Sequence, residues 1–153
     1  MTLFNTSFCK YKAVAVAVAV AVKLILKVLG MNGGFKSLKV YQLAYRLAME
    51  IFEISKKFPK KETYSLTDQI RRSLRSVCSN IAEAYRKRRY PKNFTSKICD
   101  ADGESGETLV WIDFAKDCEY INIQIHQSLI IRYEEVGKLL RSMANNPEKF
   151  TPK

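Results

Sequence analysis

A single histidine, His126, removes most of the chemistry that imidazoles usually carry, because clustered ligands and catalytic dyads need partners this chain does not supply. Cysteine is sparse as well. The four residues, Cys9, Cys78, Cys99 and Cys118, form no CxxC pair and lie far from His126 in sequence, so a zinc centre is not expected. Neither GxSxG, a P-loop nor HExxH occurs, which leaves acyl transfer, nucleotide hydrolysis and zinc hydrolysis without their usual supports. His126 has Glu134 and Glu135 two turns further along a helical pattern, beyond the three- or four-residue reach of a facing pair. Asp100-Ala-Asp102-Gly103-Glu104 has the look of a calcium loop, but glycine is fourth where the sixth position is needed, and Trp111 stands where the closing Glu belongs. The expectation is a protein that is not an enzyme and uses no cofactor or metal.

Acidic residues are absent before Glu50, and over the whole chain 26 Lys and Arg face 15 Asp and Glu, a net charge of +11. Such a balance favours partners that carry negative charge and opposes self-association unless an interface overcomes the repulsion. With 153 residues there is room for one domain around one core. Cys78, Cys99 and Cys118 each fall inside a helical pattern, where a free thiol behaves as a small buried hydrophobe. Unpaired thiols fit a reducing compartment and hence the cytoplasm.

Residues 1–34 are unlike the rest. Ala13 to Val22 is five Ala-Val repeats, and the segment reads as a low-complexity extension outside the core fold, with Met31 before Asn32-Gly33-Gly34 as the expected start of the folded unit. Lys10 and Lys12 before an apolar run resemble a secretory signal, but Lys23 and Lys27 interrupt the run and no small-x-small cleavage site precedes Met31. The ten apolar residues between Lys12 and Lys23 fall short of the roughly 18 to 20 a membrane span requires.

From Leu38 onward the apolar residues keep a helical period. The spacing predicts helices over 38–58, 66–89, 93–119 and 123–143, then a polar tail over 146–153. Leu66, Ile70, Leu74, Val77, Ile81 and Tyr85 make the clearest stripe; beside it runs a small polar row, Gln69, Ser73, Ser76 and Asn80. Pro59 and Pro91 are expected to stop the first two helices, and Ser65 or Thr67 to cap the second. Gly103 and Gly106 each cost about 1 kcal/mol inside a helix, which points to another backbone packing close there. Short connections between four such segments specify an all-α, antiparallel up-down-up-down four-helix bundle over 35–145.

Phe58-Pro59 with Glu62, then Leu66, Gln69, Arg71-Arg72, Ser76, Ser79-Asn80-Ile81-Ala82-Glu83 and Tyr85-Arg86, resemble the four-helix-bundle proteins encoded within intervening sequences of bacterial large-subunit ribosomal RNA genes. Phe94, Glu104-Ser105-Gly106-Glu107-Thr108, Trp111, Phe114-Ala115 and Tyr120-Ile121 extend the likeness, which covers about Phe35 to Met143. Ala84 departs from it, standing where the family commonly has glycine. The family in turn is similar to the accessory protein of diversity-generating retroelements, and that similarity implies a pentameric ring, contact with nucleic acid and a nucleic-acid-processing protein as a further partner.

Two functional classes follow. In the first, Arg71, Arg72, Arg75, Arg86, Lys87, Arg88, Arg89 and Lys92 neutralise phosphates of RNA or DNA, although no aromatic platform or base-reading motif accompanies them. In the second, the chain is a protein-protein scaffold or assembly subunit. Homo-oligomerisation is expected in either case, because Val40, Leu47, Ile54, Trp111 and Phe114 supply more apolar surface than one core needs, while the row Gln69, Ser73, Ser76 and Asn80 either makes hydrogen bonds within the bundle or forms an interface where another copy approaches closely. A basic second helix facing an acidic third helix of the next copy would close head to tail into a ring.

Overall fold

The computed structural model describes residues 34–152 of the chain. The expectations for the Ala-Val run and the rest of 1–33 lie outside these residues. The chain divides into two units, 1–37 and 38–153. Of the first, the described part is a 3-10 turn, Phe35–Ser37, closed by the Ser37 N–H on the Gly34 carbonyl at 2.9 Å.

The second unit is the four-helix bundle: α1 Lys39–Ser55, α2 Leu66–Arg86, α3 Pro91–Asp117 and α4 Ile123–Asn145. Connections of ten residues or fewer reverse the chain each time, so neighbouring helices run antiparallel. α2 packs on α3 and α3 on α4, while α1 lies against α2 and α4. The apolar period becomes a core of Val40, Ala44, Leu47 and Ile51 from α1 and Ile70, Leu74, Val77 and Ile81 from α2. Phe94, Ile98 and Ile112 from α3 meet them, with Leu129, Tyr133, Val136 and Leu140 from α4. Each such side chain is worth roughly 1.5–3 kcal/mol when fully withdrawn from water, which is why the stripes decide the fold. Val40 and Leu47, expected as spare surface for an oligomer, are 2 % and 1 % exposed and belong to this core. α1 needs a broad apolar face because it covers two helices.

The helix ends differ from the expected ones for local reasons. α1 stops at Ser55, and Phe58 lies three residues beyond it, buried and tilted against Tyr120 at 5.5 Å between ring centroids. α2 ends at Arg86, so Lys87 to Arg89 form a turn and not the last residues of the helix. Pro91 opens α3, since a proline at the first helical position has no N–H to leave unpaired and its φ is already helical. α4 begins as expected, Asn122 Oδ1 accepting from the Ile125 N–H at 2.9 Å.

Neither Ser65 nor Thr67 caps α2. Thr67 is buried, and Ser65 donates its hydroxyl to Glu62 Oε2, which also takes the Leu66 N–H at 3.4 Å. The other oxygen of Glu62 accepts from the Tyr120 hydroxyl at 2.9 Å, joining the α1–α2 connection to the α3–α4 turn. The hydrogen bond from Ser65, then that from Tyr120, hold the Glu62 carboxyl below its ordinary range. α3 ends in a Schellman pattern: the Tyr120 N–H reaches Ala115 O at 2.8 Å and the Glu119 N–H reaches Lys116 O at 2.9 Å. Glu119 stands at the left-handed position, with φ of 63°, where glycine is usual.

The tail is not simply frayed polar chain. Pro147–Lys149 makes a 3-10 turn and Phe150 stacks on Phe94 at 5.3 Å. Gly103 and Gly106 have no other backbone packed on them among the described residues, because a Cβ at either would meet nothing within 4 Å. Cys99 and Cys118 are exposed where buried thiols were expected; Cys78 is half-buried, its pKa pushed up to about 11 by burial. His126 meets Asp113 of α3, Nε2 to Oδ1 at 2.7 Å, and not the acidic residues of its own helix. No helix among the described residues is long and apolar enough to cross a membrane.

Candidate nucleic-acid interface

At 100° per residue, the arginines at 72, 75 and 86 fall on one side of α2, opposite the core stripe of Leu74, Val77 and Ile81. All three are exposed. From Arg72 to Arg86 the row covers fourteen residue steps, or about 21 Å of helix. It runs into the α2–α3 turn, where Arg89 and Lys92 are exposed too. None of these five cations comes within salt-bridge distance of a carboxylate among the described residues, although Arg72 acts electrostatically on Glu104.

The other three expected phosphate contacts are committed inside the protein. Arg71 points to α1, its Nε donating to Ser55 Oγ at 2.8 Å and its guanidinium lying 4.8 Å from the Phe52 ring centre. Lys87 pairs with Glu83 at 2.6 Å. Arg88 donates to the Tyr85 carbonyl at 2.7 Å, closing the end of α2, and stacks 3.9 Å from the Tyr85 ring centre. These contacts replace availability with positioning, because a guanidinium fixed on a ring and a carbonyl is no longer free to follow a ligand.

The turn also carries an aromatic group that reading by charge alone overlooked. Tyr90 is 66 % exposed, between Arg89 and Pro91, with its N–H on Lys87 O at 2.9 Å. The signal was an aromatic between a basic run and a proline. No side chain caps the first turn of α3, and its first turn holds no acidic residue, so the positive end of the helix dipole adds to the local field. The opposite end of the bundle is mixed: Lys56 pairs with Glu53 and Lys116 with Asp117, while Glu62 and Glu119 add further carboxylates.

The small polar row faces α3. Ser73 is buried, receives the Thr108 hydroxyl at 2.9 Å and lies 3.1 Å from the Ile70 carbonyl, which makes it a bond within the bundle and not a contact surface. Ser76 meets the carboxylate of Glu104, whose pKa is raised by burial first and by neighbouring Glu107 next. Gln69 and Asn80 are half-buried. Further along the same pair of helices, Lys97 bridges Glu83 at 3.2 Å and Asp100 at 3.1 Å. Of the expected interface aromatics, Phe114 is 52 % exposed, and Trp111, half-buried against it at 5.8 Å, donates its indole N–H to Glu107 at 3.0 Å.

Comparison with known proteins turns on one match, between residues 36–142 and the model of the 23S rRNA-intervening sequence proteins. The chain belongs to that family. A crystal structure of a protein with unknown function from the S23 ribosomal protein family of Bacteroides thetaiotaomicron is similar at 27 % identity. The likeness covers 69 % of this chain and 95 % of that one, with a TM-score of 0.63. No curated protein matches the chain. The function of this family is unknown. Several of the residues that carry the resemblance are accounted for by folding alone: Phe58, Glu62 and Tyr120 lock the two turns at one end, and Ser105 and Thr108 are buried between helices. Among the described residues no group of three or more His, Cys, Asp or Glu could hold a metal ion.

Proposed function

We propose that the chain is a non-enzymatic accessory protein that binds nucleic acid through the phosphate backbone, along the outward row of α2 and the α2–α3 turn. The observation that supports it best is the run of five exposed cations, Arg72, Arg75, Arg86, Arg89 and Lys92, none of which forms a salt bridge among the described residues, Arg72 alone acting electrostatically on Glu104. Exposed cations in a line neutralise phosphates and release the counterions condensed on the nucleic acid, which gives affinity without sequence preference. The kinship with proteins whose genes lie in ribosomal RNA, and with a protein of the S23 ribosomal protein family, agrees with that partner class. Replacing Arg86, Arg89 and Lys92 together with Ala should sharply weaken binding to a labelled RNA at moderate salt, leaving only the residual affinity of Arg72 and Arg75, while circular dichroism stays unchanged. Unaltered affinity would place the activity elsewhere.

Assembly is the second part of the reading. Val110 and Phe114, 47 % and 52 % exposed, share an outward side of α3 with Gly103 and Gly106, whose missing side chains leave open space for another helix. A homo-oligomeric ring using this side fits, with five copies taken from the resemblance alone. Without nucleic-acid binding, the same surface would make the chain a scaffold for protein partners. Light scattering at micromolar concentration tests the assembly: a monomer contradicts it, and a dimer or tetramer contradicts only the stoichiometry.

A further inference from the structure

We infer that the α2–α3 turn takes single-stranded nucleic acid, with one unpaired base stacked on Tyr90 and phosphates on either side held by Arg86, Arg89 and Lys92. The inference rests on the proposed phosphate-binding role and narrows it to a ligand class. Three observations carry it.

The first is the ring itself. Tyr90 is 66 % exposed in the middle of the cations and makes no ring contact among the described residues, whereas Tyr85 is already covered by Arg88 at 3.9 Å. An uncovered ring face in such a setting is a platform on which something flat can stack, and a nucleobase presents such a face only when it is out of a duplex stack.

The second is shape. The turn joins two antiparallel helices side by side, so it ends in a blunt tip about as wide as the two helices it joins and offers no lone helix to lie in a major groove about 12 Å wide. The outward row of α2 between Arg75 and Arg86 presents Ser79 and Glu83, with no arginine, asparagine or glutamine set for bidentate base reading. Backbone cations plus one aromatic face are what an unstructured strand uses.

The third is an internal comparison. Tyr64, at the other end of the bundle, is 93 % exposed beside Lys60 and Lys61, but its near sequence neighbours also include the carboxylates of Glu62 and Asp68. A strand of phosphates gains little where carboxylates match amines. The two exposed tyrosines thus make opposite predictions.

The test is fluorescence anisotropy of the full chain with a labelled unstructured 20-nucleotide RNA, the same sequence as DNA, and a matched duplex, all at one ionic strength. Both single strands should bind at least ten-fold more tightly than the duplex. Tyr90→Ala should weaken single-strand binding between about five-fold and a hundred-fold, the range of one stacked base. It should leave the salt dependence and duplex affinity as they are. Tyr90→Phe should restore affinity, and Tyr64→Ala should change nothing. If Tyr90→Ala binds as the parent does while the Arg86, Arg89 and Lys92 replacement loses binding, the stacking inference is overturned and the phosphate reading stands. Equal or tighter binding to duplex overturns it as well. If the parent binds none of the three probes, both fall.

Discussion

Glu119 holds the left-handed position that ends α3, and replacing it separates backbone strain from charge. Its φ is 63°, and both Schellman hydrogen bonds around it are made, so the turn is fixed by the ladder at Ala115 and Lys116 and not by the residue's own preference. An L side chain in this region costs roughly 1–2 kcal/mol because Cβ crowds the following carbonyl. Glycine removes that cost, less roughly 0.5–1 kcal/mol for the extra freedom of the unfolded chain. Glu119→Ala and Glu119→Gly lose the same carboxylate, so the difference between them isolates the conformation. Gly should be the more stable by about 1 kcal/mol, which for a domain of this size raises Tm by roughly 4 °C. Glu119→Val should melt lowest of the three. Thermal unfolding followed at 222 nm reads all of them, and an alanine variant that melts as high as the glycine one would refute the strain argument.

Thr108→Val leaves the buried Ser73 hydroxyl without its partner from α3, and should cost about 1–2 kcal/mol by urea unfolding; adding Ser73→Ala should cost less than the two singles combined. Arg132 grips Glu50 with two hydrogen bonds, 2.6 and 2.7 Å, which hold the Glu50 carboxyl below its ordinary range. A depressed folded-state pKa means the stabilisation is complete above the unfolded value near 4.3 and is lost as pH falls through the folded one. Glu50→Gln should therefore melt lower than the parent at pH 7, by less than about 1 kcal/mol because the pair is solvent-screened, and the gap should close on acidification. Persistence of the gap well below pH 3 would assign the effect to packing. Arg71→Lys should lower stability with little change in RNA affinity, since the guanidinium serves Ser55 and Phe52.

The four helices were legible because burial obeys a 3.6-residue period, and Leu66, Ile70, Leu74, Val77 and Ile81 keep it without interruption. Their ends were less so. A proline marks a boundary without saying on which side the helix lies: Pro59 follows the α1 helix after a turn, while Pro91 begins α3. Capping of α2 escaped because its acceptor, Glu62, answers to Tyr120, 58 residues away. The breadth of the apolar face on α1 was visible, but whether Val40 and Leu47 met the core or another copy depended on α1 covering two helices. The basic run was legible as charge, not as availability. Arg71, Lys87 and Arg88 look no different in sequence from Arg75 and Arg86, and only their neighbours Ser55, Glu83 and Tyr85 separate them.

The central claim is that five exposed cations hold phosphates, and salt tests it most directly. For a single strand, log affinity should fall with log salt at a slope of about −0.7 per phosphate neutralised, hence about −3.5 for the parent. With Arg86, Arg89 and Lys92 replaced by Ala, the slope should flatten to about −1.4, the two cations Arg72 and Arg75 remaining. A parent slope near zero, or one that the triple replacement leaves unchanged, would contradict the account.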